Sequence, residues 1–294
     1  MKKDNAPVHK CSVCGYALQP FHPEEPLSWQ RCSRKLCGHI QREPSTAVTG
    51  SEAPLFTDMA PAPAPASLWE KLRDTFDSGS QSDSKDRELW ERLYLPETPG
   101  SLLELGAGDP SRIMKATGLG WKAESRHLSS KAPQQWQDKG LKLKSGEPDW
   151  NSYSPESFDA VVIRWALEQS ADPIALLKNA WRILKPSGRL VIIAWNSHSL
   201  GNELYGARWM PLSISQHRQL YSPGSLRRSV ALAEIGVKFV LFTSFAGQLP
   251  QSLPAQPQSE IDALRQKALK QLREDPLCGE ALVLISEKQK LKVE

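Results

Sequence analysis

Four thiols near the N-terminus, in Cys11-x2-Cys14 and Cys32-x4-Cys37, have the paired spacing by which two tight turns present sulfur to one tetrahedral metal ion. Gly15 and Gly38 trail the two pairs and let the backbone fold over the sulfurs without a side-chain clash. Four thiolates close the coordination shell and leave no position for water, so Zn2+ on Cys11, Cys14, Cys32 and Cys37 is expected to be structural. The pairing argues against four unrelated reduced cysteines. His22 and His39 are alternative ligands that a four-cysteine set makes unnecessary, and the lone Cys278 reads as a packed core thiol.

A second chemical signature is the run Leu103-Glu104-Leu105-Gly106-Ala107-Gly108. Apolar residues ending in Gly-x-Gly, followed by a helical pattern, suit a strand that turns beneath a bound nucleotide. The glycines let the backbone pass close to the ligand, and amides at the next helix N-terminus point into the cleft.

The elements around these residues form an α/β pattern. Strands are expected over 101–105, 158–163, 189–195, 237–243 and 280–286, alternating with helices over 111–117, 173–184, 223–234 and 261–272. Asp172 and Ser222 are helix caps, each followed by a first-turn proline. The alternation predicts a Rossmann-like, doubly wound parallel sheet with a final antiparallel excursion, behind a small N-terminal zinc-ribbon module. The expected organisation is a four-cysteine module over 1–42, a Pro/Ala-rich linker over 43–66, lead-in helices over 67–100 and the α/β domain over 101–294. Below about 40 residues a module buries too little surface to fold alone, so metal would supply most of its folding energy, with Trp29 and Phe21 as a minimal core.

The bulk numbers fit this plan. The chain has 294 residues, 39% hydrophobic and 24% charged, and a formal net charge of +4. No apolar run approaches the roughly 20 residues of a membrane span. No apolar stretch follows Lys2 and Lys3, so a cytoplasmic location is expected, where clustered thiols favour metal over disulfides. The charge is too small by itself to announce a nucleic-acid binder; the clusters Arg31/Arg34/Lys35 and Arg227/Arg228 read first as solvated surface.

Taken together, Leu102-Leu-Glu-Leu-Gly-Ala-Gly108, Ser157-Phe-Asp-Ala-Val-Val162, Leu167-Glu168 with Ala171-Asp-Pro173, and Leu184-Lys-Pro-Ser-Gly-Arg-Leu-Val191 resemble the class I S-adenosylmethionine-dependent methyltransferases. The resemblance covers about residues 101–245. Asn196-Ser-His-Ser199, Leu204-Tyr-Gly206 with Trp209, and His217 before Tyr221-Ser-Pro-Gly-Ser-Leu226 resemble a subgroup with a cysteine-rich N-terminal zinc segment. That resemblance implies S-adenosylmethionine as cofactor, held by Glu104, Gly106, Ala107, Gly108 and His127, with Arg164 and Trp165 at the ligand edge of the fourth strand. The methyl acceptor it implies is a small molecule, a sugar or a macromolecule.

Three positions depart from the family pattern. Pro110, which lacks an amide donor, replaces a third glycine. His127 stands where an acid usually holds the ribose, with Glu124 three residues early. Ser145 or Gly146, near Glu147, falls where an acid usually holds the adenine amine. Each lost charged hydrogen bond costs about 1.5–3 kcal/mol.

Methyl transfer would be an in-line displacement accelerated mainly by positioning. His217 is the candidate base, with His198 and Tyr221 behind it. The competing expectation is a catalytically inactive methyltransferase-fold protein that uses its ribbon or linker to contact a protein partner. An RNA reader built from Arg31, Arg34 and Lys35 beside Trp29 is a third. A nicotinamide enzyme is disfavoured by the short glycine pattern and the missing acid.

Overall fold

The computed structural model describes residues 9–22, 28–42, 95–96, 98–106, 110–128, 143–235, 239–244 and parts of 259–289. The linker, both lead-in helical patterns, and Ala107 and Gly108 of the glycine turn lie outside the described residues.

The main sheet has seven strands. β4 (Ser101–Gly106), β5 (Lys122–His127), β6 (Leu143–Ser145), β7 (Phe158–Arg164) and β8 (Leu184–Trp195) are joined by β10 (Phe239–Ser244) and β11 (Ala281–Glu287) in the order β10-β11-β8-β7-β4-β5-β6. Pairings from β6 across to β8 are parallel, whereas β11 runs antiparallel to both β8 and β10. This is the doubly wound sheet with an antiparallel excursion that the alternation of elements predicts.

The opening helix of this domain is α1 (Pro110–Gly118), directly after the glycine turn. One face of the sheet packs Leu103, Leu105, Val161, Ile163 and Ile192 against α2 (Pro173–Ile183) and, beyond the short helices α3 (Leu200–Tyr205) and α4 (Met210–Ser213), against α5 (Pro223–Leu232). The two long helices start as their sequences require. Asp172 accepts from the Ala175 amide, and Ser222 with Ser225 forms a reciprocal capping box, each with proline in the first turn. The opposite face carries Leu102, Ala160, Val162, Val191, Ile193 and Trp195, beside Ala116 from α1.

The cysteine module completes that second face. Its strands β1 (Leu18–Phe21), β2 (Trp29–Cys32) and β3 (Ile40–Arg42) form a meander, and β3 pairs antiparallel with β9 (Gln219–Leu220), giving the order β1-β2-β3-β9. Trp29, expected to serve the module alone, belongs with Ile40 to the same core as Trp195, Trp209, Leu212 and Leu220. The Trp29 indole donates to the Leu212 carbonyl at 3.0 Å. Arg42 lies over Trp29 and donates to the carbonyls of Ser215 and Ile214, both at 2.7 Å. A module too small to bury its own aromatic residue borrows the neighbouring domain's core.

No helix among the described residues is long and apolar enough to cross a membrane. Trp29→Ala removes a side chain only 2% exposed and strands a buried carbonyl. A loss of about 3–5 kcal/mol is expected, read as a drop in the denaturant midpoint of the full chain.

Candidate functional site

A candidate metal centre lies where the two cysteine turns meet. The four sulfurs lie within 4.8 Å of one another, with Cys11–Cys37 at 3.8 Å and Cys14–Cys32 at 3.4 Å. Sulfurs bound tetrahedrally at about 2.3 Å from zinc stand roughly 3.8 Å apart, so this donor set fits one thiophilic ion. A hydrogen bond from Cys37 holds the Cys11 thiol down to about 5, while that same neighbour and burial push Cys37 up. His39 is fully buried, its Nε2 3.4 Å from Ser12 Oγ and its ring edge-on to Tyr221. Cys278 is a buried thiol, as expected of a core residue.

At the nucleotide corner, Gly106 ends β4 with φ of 107°, and a Cβ there would collide with the Arg164 carbonyl. Only glycine permits this approach of β4 to β7. Glu104 is buried, and Arg164 Nε stands 3.0 Å from its Oε1, with Arg112 Nε at 3.8 Å. The acid expected to face the cofactor therefore carries the protein's own guanidinium. Trp165, also expected at this edge, is 3% exposed, has φ of 51° and packs on Trp195 with ring centroids 4.7 Å apart.

His127 ends β5 opposite Ser145, and its carbonyl accepts from the Gly146 amide. The register settles Glu124: it pairs with Leu103, three residues short of the strand end. Tyr153 donates to it at 2.5 Å and Lys144 at 2.8 Å, so it is committed to the sheet.

The three candidate bases differ in exposure, although the turn that carries His198 pairs with Tyr221 through its backbone. His217 is 1% exposed, its Nδ1 2.9 Å from the Pro211 carbonyl, and burial pushes its pKa down to about 3. Tyr221 is wholly buried, and desolvation with nearby Glu168 raises its hydroxyl well above the ordinary range. Both side chains are enclosed by the protein in this structure. His198 is the exposed member, its Nε2 3.0 Å from Asp275 Oδ2. Its backbone is fixed by Asn196, whose Oδ1 accepts the His198 amide and whose Nδ2 donates to the carbonyls of Leu277 and Gly279. Ser197 then ties this turn to the module by donating to the Gly38 carbonyl at 3.0 Å.

The reader expected around Trp29 and Arg31 is turned inward. Trp29 is core, and Arg31 lies 3.9 Å over the Phe21 ring with its pKa lowered by burial.

With this geometry in place, the comparisons are decisive for the family. Residues 82–236, just over half of the chain, match the family described as methyltransferase domain. The chain belongs to that family. A ubiquinone/menaquinone biosynthesis C-methyltransferase, UbiE, of Nitrobacter hamburgensis is 28% identical over 145 residues, covering 45% of this chain and 57% of that protein. A ubiquinone biosynthesis O-methyltransferase of Idiomarina loihiensis is 28% identical over 109 residues, covering 32% and 42%. The chain spans about half the length of these relatives. The crystal structure of a SAM-dependent methyltransferase from Archaeoglobus fulgidus superposes with a TM-score of 0.51 at 16% identity, over 75% of this chain and 98% of that one. The family fold is thus shared, with a cysteine module built into one face of the sheet.

Sequence reasoning missed the role of Glu168. It is fully buried beside the apolar runs of β7 and β8, and its Oε1 accepts the Trp195 amide at 2.6 Å. The signal was an acid directly after Ala166-Leu167. Burial raises its pKa to about 8. A raised carboxylate adds stability in full below the unfolded value near 4.5 and loses it as pH rises towards 8. Glu168→Gln is therefore expected to flatten the stability profile between about pH 4.5 and 8. At about pH 8 it should gain on the order of a few kcal/mol over the parent in urea titrations.

Proposed function

We propose that the chain is an S-adenosylmethionine-dependent methyltransferase, with residues 101–294 as its catalytic domain and residues 1–42 as a structural zinc module. The observation that carries this reading is Gly106, held at positive φ against β7 at the C-terminal edge of the sheet, within the matched family segment. The residues fit the cofactor in part. Gly106 keeps the backbone path clear, and Glu104 stands near the strand end with Arg112 and Arg164 beside it. When bound, S-adenosylmethionine supplies a sulfonium methyl group for in-line transfer.

In this reading the protein's work is positioning. Glu104 and His127 orient the ligand at the ends of β4 and β5, and the Gly106–Gly108 turn supports it. Arg164 gives up or shares its hold on Glu104 as the site fills. His198, oriented by Asp275, is the proton acceptor with access to solvent. Methyl transfer to an already anionic or carbon nucleophile needs no base, so the dyad is an aid rather than a requirement. The relatives' names, one a C- and the other an O-methyltransferase, leave the acceptor atom open.

A second reading, a catalytically silent scaffold, is favoured by the Arg164–Glu104 pair and by His127 in place of an acid. Calorimetric titration with S-adenosylmethionine separates the two. Saturable binding near one equivalent, weakened at least about tenfold by His127→Ala in a protein with an unchanged circular dichroism spectrum, supports the enzyme. No saturable heat at millimolar cofactor leaves the scaffold.

Zinc is tested separately. Because β3 pairs with β9 and the Ser222 hydroxyl donates to the Cys37 carbonyl, chelation should lower the melting temperature of the whole chain. It should also speed amide exchange at Leu220 and Ser225. Purified protein without bound metal, or a melting curve indifferent to chelator, removes the structural zinc.

A further inference from the structure

Among the described residues, the surface around the four sulfurs is cationic and carries no acidic side chain of the cysteine module. The described residues 9–22 and 28–42 contain no Asp or Glu, and neither does α5. Lys10, Arg34 and Lys35 on the cysteine module are exposed, and α5 adds exposed Arg227 and Arg228. The patch is contiguous. Ser222, the α5 cap, donates to the Cys37 carbonyl, a Cβ at Gly224 would strike the Leu36 carbonyl, and Arg228 Nε donates to the Val13 carbonyl at 3.3 Å. Among the described residues, none of these cations sits in an ion pair.

Gathering like charges on two short turns and one helix costs self-repulsion that no acid among the described residues of the module or of α5 offsets. Large apolar groups stand among the charges. Tyr16 is 52% exposed, with the Arg34 guanidinium 5.1 Å from its ring centroid, and Leu36 is 80% exposed. Neither packs a core. Cations interleaved with an exposed aromatic ring on a rigid scaffold suit a polyanion that also offers flat apolar groups.

We propose that this face binds single-stranded RNA, with phosphates on Lys10, Arg34, Lys35, Arg227 and Arg228 and a base against Tyr16. The proposal does not depend on methyl transfer, since a silent scaffold would use the same surface. An acidic protein segment would satisfy the cations but make no use of the ring.

The test is fluorescence anisotropy of a labelled oligo(U) of about 20 nucleotides with the zinc-loaded full chain, titrated at several salt concentrations from about 50 mM upward. Binding is expected to weaken with a log–log slope of about −2 to −3.5, corresponding to roughly three to five phosphates. The Arg34→Glu/Lys35→Glu double variant should lose at least about tenfold in affinity, while Lys122→Glu, on the far strand β5, should not. Tyr16→Ala should weaken binding severalfold with the slope unchanged. Zinc content and melting temperature confirm that each variant is folded. No binding at the lowest salt, or indifference to the charge reversals, overturns the proposal. So does polyglutamate competing as well as RNA while Tyr16→Ala has no effect, which would assign the face to an acidic protein.

Discussion

The short antiparallel contact between Ile40–Gln41 and Gln219–Leu220 is the joint on which the rest of the molecule turns. Two residue pairs of strand would be negligible alone. They matter because Trp29 and Ile40 pass through the same seam into the second face of the main sheet. Fully burying one such side chain is worth roughly 1.5–3 kcal/mol. Around them, Arg42, the Trp29 indole and the Ser197 and Ser222 hydroxyls donate to backbone carbonyls across the seam. A module that looked like an appendage is part of the wall of the α/β domain.

The nucleotide corner shows a different compromise. A carboxylate near the end of β4 is buried too deeply to stand without a cation, and Arg164, the last residue of β7, supplies one. The pairing holds the corner together, because removing either partner from a buried ion pair leaves an uncompensated charge. It also sets a condition on any cationic ligand drawn to Glu104, which would compete with a guanidinium already 3.0 Å from that carboxylate.

Much of this architecture was legible in the chain. Local patterns announced β4, β7, β8 and the capped helices α2 and α5, because periodicity and capping act over a few residues. The cysteine spacing announced the cluster of sulfurs. What escaped was non-local. β9 is two residues long and has no pattern of its own; it exists because β3 arrives beside it. His217 and Tyr221 have the chemistry of proton carriers, but both are buried, His217 against the Pro211 carbonyl, and burial of this kind is invisible to spacing. Glu124, three residues early in the sequence, could have reached the ribose position only in another register, and the strand pairing sets it against Leu103.

The hydrogen bond from Trp29 to Leu212 spans 183 residues of sequence. A ribosome adding roughly 5–20 residues each second would expose the Trp29 indole for about 10–40 s before its acceptor is made. The cysteine turns are made before that acceptor and hold all four clustered sulfurs, so a metal bound there would load before the seam closes. The nascent hairpin would then wait as a metal-pinned template against which the end of the domain is later laid.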